Sequence, residues 1–323
     1  MYNIGIDLGG TNIAGGICDN SGRLVLKRTI PTLSLRGADL VISDIITLCK
    51  SIVEESRLDS ADIASVGIGC PGTVNSLCGT IVNAPNVNLI NVPIGAMVND
   101  GLNLPVYIEN DANCAALSEA MFGAARGSKN SLTVTLGTGI GSGIIIDGYI
   151  YSGSFFGAGE LGHHVIRMDG EACGCGQRGC WEAYASATAL IRDTVSGAKN
   201  NPGSIINSLV SGNLDEVTAK TAFDCALAGD STAIDIVENY LDNLCVGLAN
   251  IVNMLQPEII VIGGGISGQG ASLIASIEKR VAKRILGGDL KTRFAIAKLG
   301  NDAGIIGAAM LSTEALHCSA NRL

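Results

Sequence analysis

Aromatic side chains are scarce. Phe, Tyr and Trp together make up 4% of the 323 residues, and there is a single Trp. A core without them is filled by aliphatic side chains, which fits layered strands and helices. Charge is sparse too, at 16%, and its balance is acidic, with a net charge of −9. That excludes the concentrated Lys and Arg surface on which nucleic-acid binding depends. No uninterrupted apolar run approaches the roughly 18 residues of a membrane helix. Met1 leads straight into the strand-like Y-N-I-G-I-D, so no secretory leader is expected. What is plentiful is hydrophobic residues, at 47%, and glycine, 43 residues. The chain is thus expected to be globular, turn-rich α/β, and long enough for two domains. The 11 cysteines are odd in number. Those at Cys18, Cys49, Cys114 and Cys245 sit in apolar runs, as reduced, buried thiols of a cytoplasmic protein do.

Two segments read as versions of one unit, Ile4–Leu26 and Thr133–Tyr151. Each is an apolar strand, a Gly-rich turn, a second strand, an Asx-Gly turn and a third strand. Asp147-Gly148 is a two-residue hairpin signal. One such unit per domain is expected, and two facing Gly turns could clamp a polyanion. Elsewhere strands and helices alternate. Helical spacing marks Ala38–Arg57, Ile234–Leu255 and Ser272–Ile285; strands are expected at Ala64–Gly69 and Pro105–Glu109. The domain change is expected near Phe122–Asn130, giving a small domain at 1–122 and a larger one at 123–304. A last helix at about 305–323 returns to the first domain.

The first turn, D-L-G-G-T-N, brings Asp7, Gly9, Gly10, Thr11 and Asn12 to the end of a strand. Glycines let backbone N–H groups approach phosphate oxygens, Thr11 and Asn12 add donors, and Asp7 could hold a magnesium shell through water. The structural alternative is a plain hairpin with a capping Asp. The second turn supplies Gly137, Thr138 and Gly139 as another anion cradle. A third, Gly263-Gly264-Gly265-Ile266-Ser267-Gly268, matches the dinucleotide fingerprint, but the next strand, R-F-A-I-A-K-L-G, lacks the acid that would hold a ribose. A flat turn for an adenine or ribose face and simple strand–helix packing both remain.

E-N-D-A-N puts Asp111 at a strand-to-helix corner. It reads either as an N-cap or as a catalytic base kept ionised by the helix N-terminus, with Asn110 beside it for a neighbouring hydroxyl. From Gly159 to Glu182 the chain carries His163, Cys173, Cys175 and Cys180. One imidazole and three thiolates close a tetrahedral zinc site. Glu160 and Glu182 bracket it, which makes a polar, sugar-like pocket; His163 would ligate through one nitrogen and offer the other to substrate. With phosphates held elsewhere, a change at Glu182 is expected to spare ATP affinity. His164 reads as structural and His317 as solvated.

In this order these motifs resemble the ROK family of bacterial sugar kinases and repressors, and within it the ATP-dependent glucokinases, from Ile4 to about Leu311. The resemblance implies a duplicated actin/hexokinase-like (ribonuclease H-like) α/β fold with two domains around a cleft. It implies phosphorylation of glucose at the C6 hydroxyl by Mg-ATP, with Asp111 as base. Gly72, Asn110, Glu160, His163 and Glu182 would face the sugar, the Gly9–Gly10 and Gly137–Gly139 turns the phosphates, and Gly263–Gly265 the adenosine. A structural zinc and a homo-oligomer, dimer or tetramer, are implied as well. The alternatives are a kinase for allose, fructose or N-acetylmannosamine, and a non-catalytic sugar sensor. The sensor is disfavoured by Asp111 and by the absence of a helix-turn-helix before the first strand. Ile90-Asn91 stand where many glucokinases place a Trp.

Overall fold

The computed structural model describes residues 1–313. The chain opens on an antiparallel meander of β1 (Tyr2–Leu8), β2 (Asn12–Asp19) and β3 (Leu24–Pro31), followed by α1 (Ala38–Ser56) and β4 (Ile63–Cys70). A three-stranded flap follows, β5 (Thr73–Asn75), β6 (Thr80–Ala84) and β7 (Leu89–Val92), then α2 (Ile94–Leu102), β8 (Val106–Asn110) and α3 (Asp111–Met121). The second meander is β9 (Ser131–Leu136), β10 (Ile140–Ile146) and β11 (Tyr149–Ile150). A helical stretch comes next: α4 (Glu182–Ala185), α5 (Ala187–Asn200), α6 (Ile205–Leu209), α7 (Ala219–Leu227) and α8 (Ser231–Leu255). The chain then forms β12 (Ile259–Gly263), α9 (Ala271–Val281), β13 (Arg293–Ile296) and α10 (Ala303–Ala309). The expected helix to residue 323 and His317 lie, beyond residue 313, outside the described residues.

The two large sheets have the same strand order. One runs β3-β2-β1-β4-β8 and the other β11-β10-β9-β12-β13. In the first, β1–β2 and β2–β3 are antiparallel, whereas β1–β4 and β4–β8 are parallel. In the second, β10–β11 is antiparallel and β12–β13 parallel. Asp147 (φ 53°) and Gly148 (φ 88°) turn the β10–β11 hairpin, with Ile146 opposite Tyr149. Two positive φ values at an Asp-Gly pair are what a type I′ turn demands.

Contacts group the chain into two compact units. One holds residues 1–133, 143–159 and the described residues from Lys298 on; the other holds 134–142 and 160–297. In the first, Ile4, Ile6, Leu8 and Ile68 meet Ile45, Leu48 and Ile52 of α1 in an aliphatic core. In the second, Ala198, Ile206, Cys225 and Ala233 knit the helices together, and the one Trp, Trp181, is fully buried.

Element bounds differ from the sequence reading where a cap decides. The long helix starts at Ser231, three residues earlier than expected, because the Asp230 carboxylate accepts the Ala233 N–H at 2.8 Å. The helix expected at Ser272–Ile285 ends at Val281.

Candidate active site and metal clip

In the first unit three parallel strands end side by side. Asp7 pairs with Gly69, and Cys70 with Asn110, so the carboxyl ends of β1, β4 and β8 carry Asp7, Cys70 and the Asn110-Asp111 corner. Open α/β sheets place their ligand sites at this edge. The D-L-G-G-T-N turn continues from the same end: Gly9 N–H donates to Asn12 O at 2.9 Å, and the Thr32 hydroxyl donates to Gly9 O at 2.6 Å. That leaves Gly10, Thr11 and Asn12 exposed at the tip.

The cap of α3 is Asn110, not Asp111. Asn110 Oδ1 accepts from Ala112 N at 2.9 Å and Asn113 N at 3.2 Å. Its Nδ2 donates to the Gly72 carbonyl at 3.1 Å, so the amide is engaged at both ends. Gly72 sits at φ 82°, and a Cβ there would overlap the Asn83 carbonyl oxygen, which fixes this loop for glycine. Asp111 is the first helical residue, and its Oδ1 accepts from Ala112 N at 2.8 Å. Relieved of capping, its other oxygen is available for chemistry.

A residue the sequence reading passed over stands behind this corner. Glu109 is buried, and its Oε1 accepts from Asn110 N at 2.8 Å and Asn113 Nδ2 at 3.1 Å. Burial raises its carboxyl. The signal was present, an acid closing an apolar strand, but nothing local distinguishes it from an exposed strand-end Glu.

Asp111 is also raised from the usual carboxylate range, by burial, with the Ala112 N–H opposing. The helix N-terminus was expected to hold it down; desolvation outweighs that dipole. Asp7 is pushed up to about 6, by burial first and then by the charge of Asp111, with Lys27 acting the other way. Two acids crowded at one buried edge suit a cation. Without magnesium, the folded chain holds a proton on Asp7 between about pH 4 and about pH 6 that the unfolded chain has already released. Stability should therefore fall as pH rises through that window. At roughly 1.4 kcal/mol per pH unit the effect is on the order of 2–3 kcal/mol. Urea midpoints of wild type and Asp7→Asn across this range check it: the variant should lose this component of the slope, and identical slopes would mean an ordinary Asp7.

In the second unit, the four donor atoms of His163, Cys173, Cys175 and Cys180 lie within 4.8 Å of one another. Cys175 Sγ is 3.6 Å from Cys180 Sγ, and Cys173 Sγ is 3.6 Å from His163 Nδ1. The edges of a tetrahedron with zinc bonds of about 2.0–2.3 Å are about 3.5–3.8 Å, so the set fits zinc. Local structure builds it. Isolated bridges pair Val165 with Cys180 and Ala172 with Arg178, and Gly176 N–H closes a turn onto Cys173 O at 3.0 Å. Burial pushes the Cys180 thiol up to about 12, whereas the Gln177 N–H lowers Cys175, so a divalent cation is what would make the set thiolates. With Nδ1 facing the thiols, Nε2 is the His163 nitrogen left for another partner. His164 packs as a structural residue, its ring tilted against Trp181 at 5.3 Å.

Glu160 is exposed at the head of the turn Leu161–His163. Glu182 is placed differently from expectation. Its Oε1 is 3.8 Å from Cys173 Sγ, while its Oε2 accepts the Ile140 N–H at 2.8 Å, directly after the Gly137–Gly139 turn. The Gly137–Gly139 turn and Glu182 are therefore joined by a hydrogen bond. Gly263 ends β12, Gly264 and Gly265 follow it, and Gly265 and Ile266 line a cavity of about 110 Å³ with Lys220 and Gln269.

The ROK family model matches residues 3–315. The chain belongs to the ROK family. It is 38% identical over 313 residues to a glucokinase of Thermotoga maritima, covering 96% of this chain and 97% of that one. A glucokinase of Streptomyces coelicolor is 36% identical over 315 residues, again 96% and 97%. Among solved structures, a ROK family glucokinase from Streptomyces griseus, in complex with glucose and AMPPNP, superposes with a TM-score of 0.82 at 35% identity, over 96% of this chain and 99% of that one. The shared strand order of the two sheets is the duplicated actin/hexokinase-type fold of this ROK chain.

Proposed function

We propose that this ROK chain is an ATP-dependent glucokinase, transferring the γ-phosphoryl group of ATP to the C6 hydroxyl of glucose. The observation that carries this reading is the near-full-length likeness, at 35–38% identity, to glucokinases, one of them with glucose and AMPPNP bound. Asp111 accepts the hydroxyl proton on the oxygen that the helix leaves open. Its raised carboxyl makes it a stronger base than an exposed Asp. Asn110, locked by its cap and by Gly72, holds the approach of the neighbouring hydroxyl. Glu160, His163 Nε2 and Glu182 take other sugar hydroxyls. The Gly9–Asn12 and Gly137–Gly139 turns hold phosphate oxygens on backbone N–H groups, and Gly263–Gly265 faces the adenosine. Magnesium, arriving with ATP and held through Asp7, would neutralise charge on the phosphates. Zinc would be held by His163, Cys173, Cys175 and Cys180, and with four protein donors it would shape the sugar side and leave no open position for catalysis.

No helix among the described residues is long and apolar enough to cross a membrane. The cytoplasm is the compartment we infer, since ten described cysteines are free thiols and most are buried.

ADP release against a panel of hexoses tests the substrate. Glucose should be the best acceptor. An epimer inverted at a contacted hydroxyl leaves a pocket group unpaired, at a cost of about 1–3 kcal/mol, or about tenfold to a hundredfold in kcat/KM. Fructose or N-acetylmannosamine winning a direct competition would leave only the hexose-kinase class standing.

A further inference from the structure

The nine residues from Cys180 to Thr188 run from the metal clip to the L-G-T-G turn and hold that turn by three hydrogen bonds. Cys180 supplies a thiol to the clip. Trp181, fully buried, anchors the segment by donating its indole N–H to Asn243 O on α8 at 3.2 Å. Glu182 accepts the Ile140 N–H, and a Cβ at Gly139 would overlap that same carboxylate. Ala187 N–H donates to Gly137 O at 2.9 Å, and the Thr188 hydroxyl donates to Thr138 O at 2.7 Å. The Gly137 N–H closes the turn onto Gly139 O at 3.0 Å.

A trans peptide points its C=O and N–H in opposite directions. Drawing the Gly137 and Thr138 carbonyls onto α5 therefore turns the N–H groups of Thr138 and Gly139 away from it, as an aligned pair. Such a pair of successive N–H groups is an anion nest. Its alignment depends on Ala187, Thr188 and Glu182, and these reach the turn through a segment that begins on a metal ligand.

We propose that Glu182 and Thr188 are positioning residues that link the two sites, so that zinc in the clip tightens binding of the nucleotide phosphates by the Gly137–Gly139 turn. The inference rests on the reading of that turn as a phosphate cradle. Linkage is reciprocal: nucleotide must tighten zinc by the factor by which zinc tightens nucleotide. Zinc buffers the geometry of the turn, and Thr188, absent from every motif in the sequence, is the residue through which one carbonyl of the turn is held.

The test is a zinc titration of the full chain against a chelator, without sugar, in the presence and absence of AMPPNP with magnesium. AMPPNP should raise zinc affinity by about fivefold or more, the lower end of ordinary coupling between sites. Glu182→Ala should bring that factor close to one, and it also reports any direct chelation of zinc by AMPPNP. Thr188→Val keeps the side-chain shape and loses the donor. Loaded with one zinc per chain, it should bind AMPPNP about threefold to tenfold more weakly, in line with a lost hydrogen bond. Zinc affinity indifferent to AMPPNP in wild type, with AMPPNP shown to bind, overturns the linkage and leaves the cradle reading intact. AMPPNP binding that is equally tight in Gly139→Val overturns the cradle reading itself.

Discussion

Asp111→Asn is expected to fold, to bind glucose and AMPPNP, and to transfer phosphate on the order of a hundredfold to ten-thousandfold more slowly, the range typical of a lost general base. The helix start should survive, because the capping residue is Asn110, whose Oδ1 accepts from both Ala112 N and Asn113 N. An amide at position 111 can still accept the Ala112 N–H through its carbonyl oxygen. What it cannot do is take a proton. The raised carboxyl adds a second signature. Activity of the wild type should decline on the acid side at a pH above the ordinary Asp range, because burial raises the Asp111 carboxyl, and Asp7 beside it is itself pushed up to about 6. Magnesium lowers both, so the decline should move to lower pH as magnesium is raised. Single-turnover rates, a pH profile at two magnesium concentrations and a urea midpoint separate the possibilities. Turnover within about threefold of wild type, less than roughly 0.7 kcal/mol of barrier, would remove Asp111 from the chemistry.

Asp111 also shows where reading from sequence stops. Asn and Asp are both good caps, and helix starts are uncertain by a residue or two, so the pattern N-D-A-N could not assign the cap. Nor could it give the direction in which Asp111 is shifted. The dipole of α3 is local and visible, while the burial that outweighs it is contributed by the neighbouring strands. The Asp147-Gly148 hairpin and the Cys-rich clip were legible because every determinant lies within a few residues or has one chemical purpose. The repeated meander was legible as a pattern, and the identical strand order of the two sheets is its physical content. By contrast, Glu182 meets Ile140 across 42 residues and Thr188 meets Thr138 across 50. Neither contact has a local signature, so the hydrogen bond that ties Glu182 to the residue after the Gly137–Gly139 turn was not legible. The helix predicted to Ile285 stops at Val281, though its apolar spacing continues, which periodicity alone does not reveal.

Cys175→Ser should abolish metal binding and weaken glucose and nucleotide binding together while leaving the first unit folded. Cys175 is the exposed member of the set, so its thiol contributes little packing, and its loss acts through the metal. A serine hydroxyl is a far poorer zinc ligand than a thiolate, and structural zinc sites contribute roughly 10–16 kcal/mol of apparent binding that is folding energy for their loops. Without the ion, three donors crowded within 4.8 Å lose what holds them, and His163 loses the bond that fixes its ring. The first consequence is a disordered sugar side: glucose KM should rise by more than about tenfold, the usual scale of losing an ordered metal site. The second follows from the segment Cys180–Thr188, through which nucleotide affinity should also drop. Elemental analysis should find one zinc per chain in wild type and close to none in the variant. The aliphatic core around Ile4, Ile6, Leu8 and Ile45 belongs to the first unit and the clip to the second, so hydrogen exchange in that core should be unchanged. A metal-free Cys175→Ser protein with wild-type glucose KM would show that the clip is a stability device with no part in recognition.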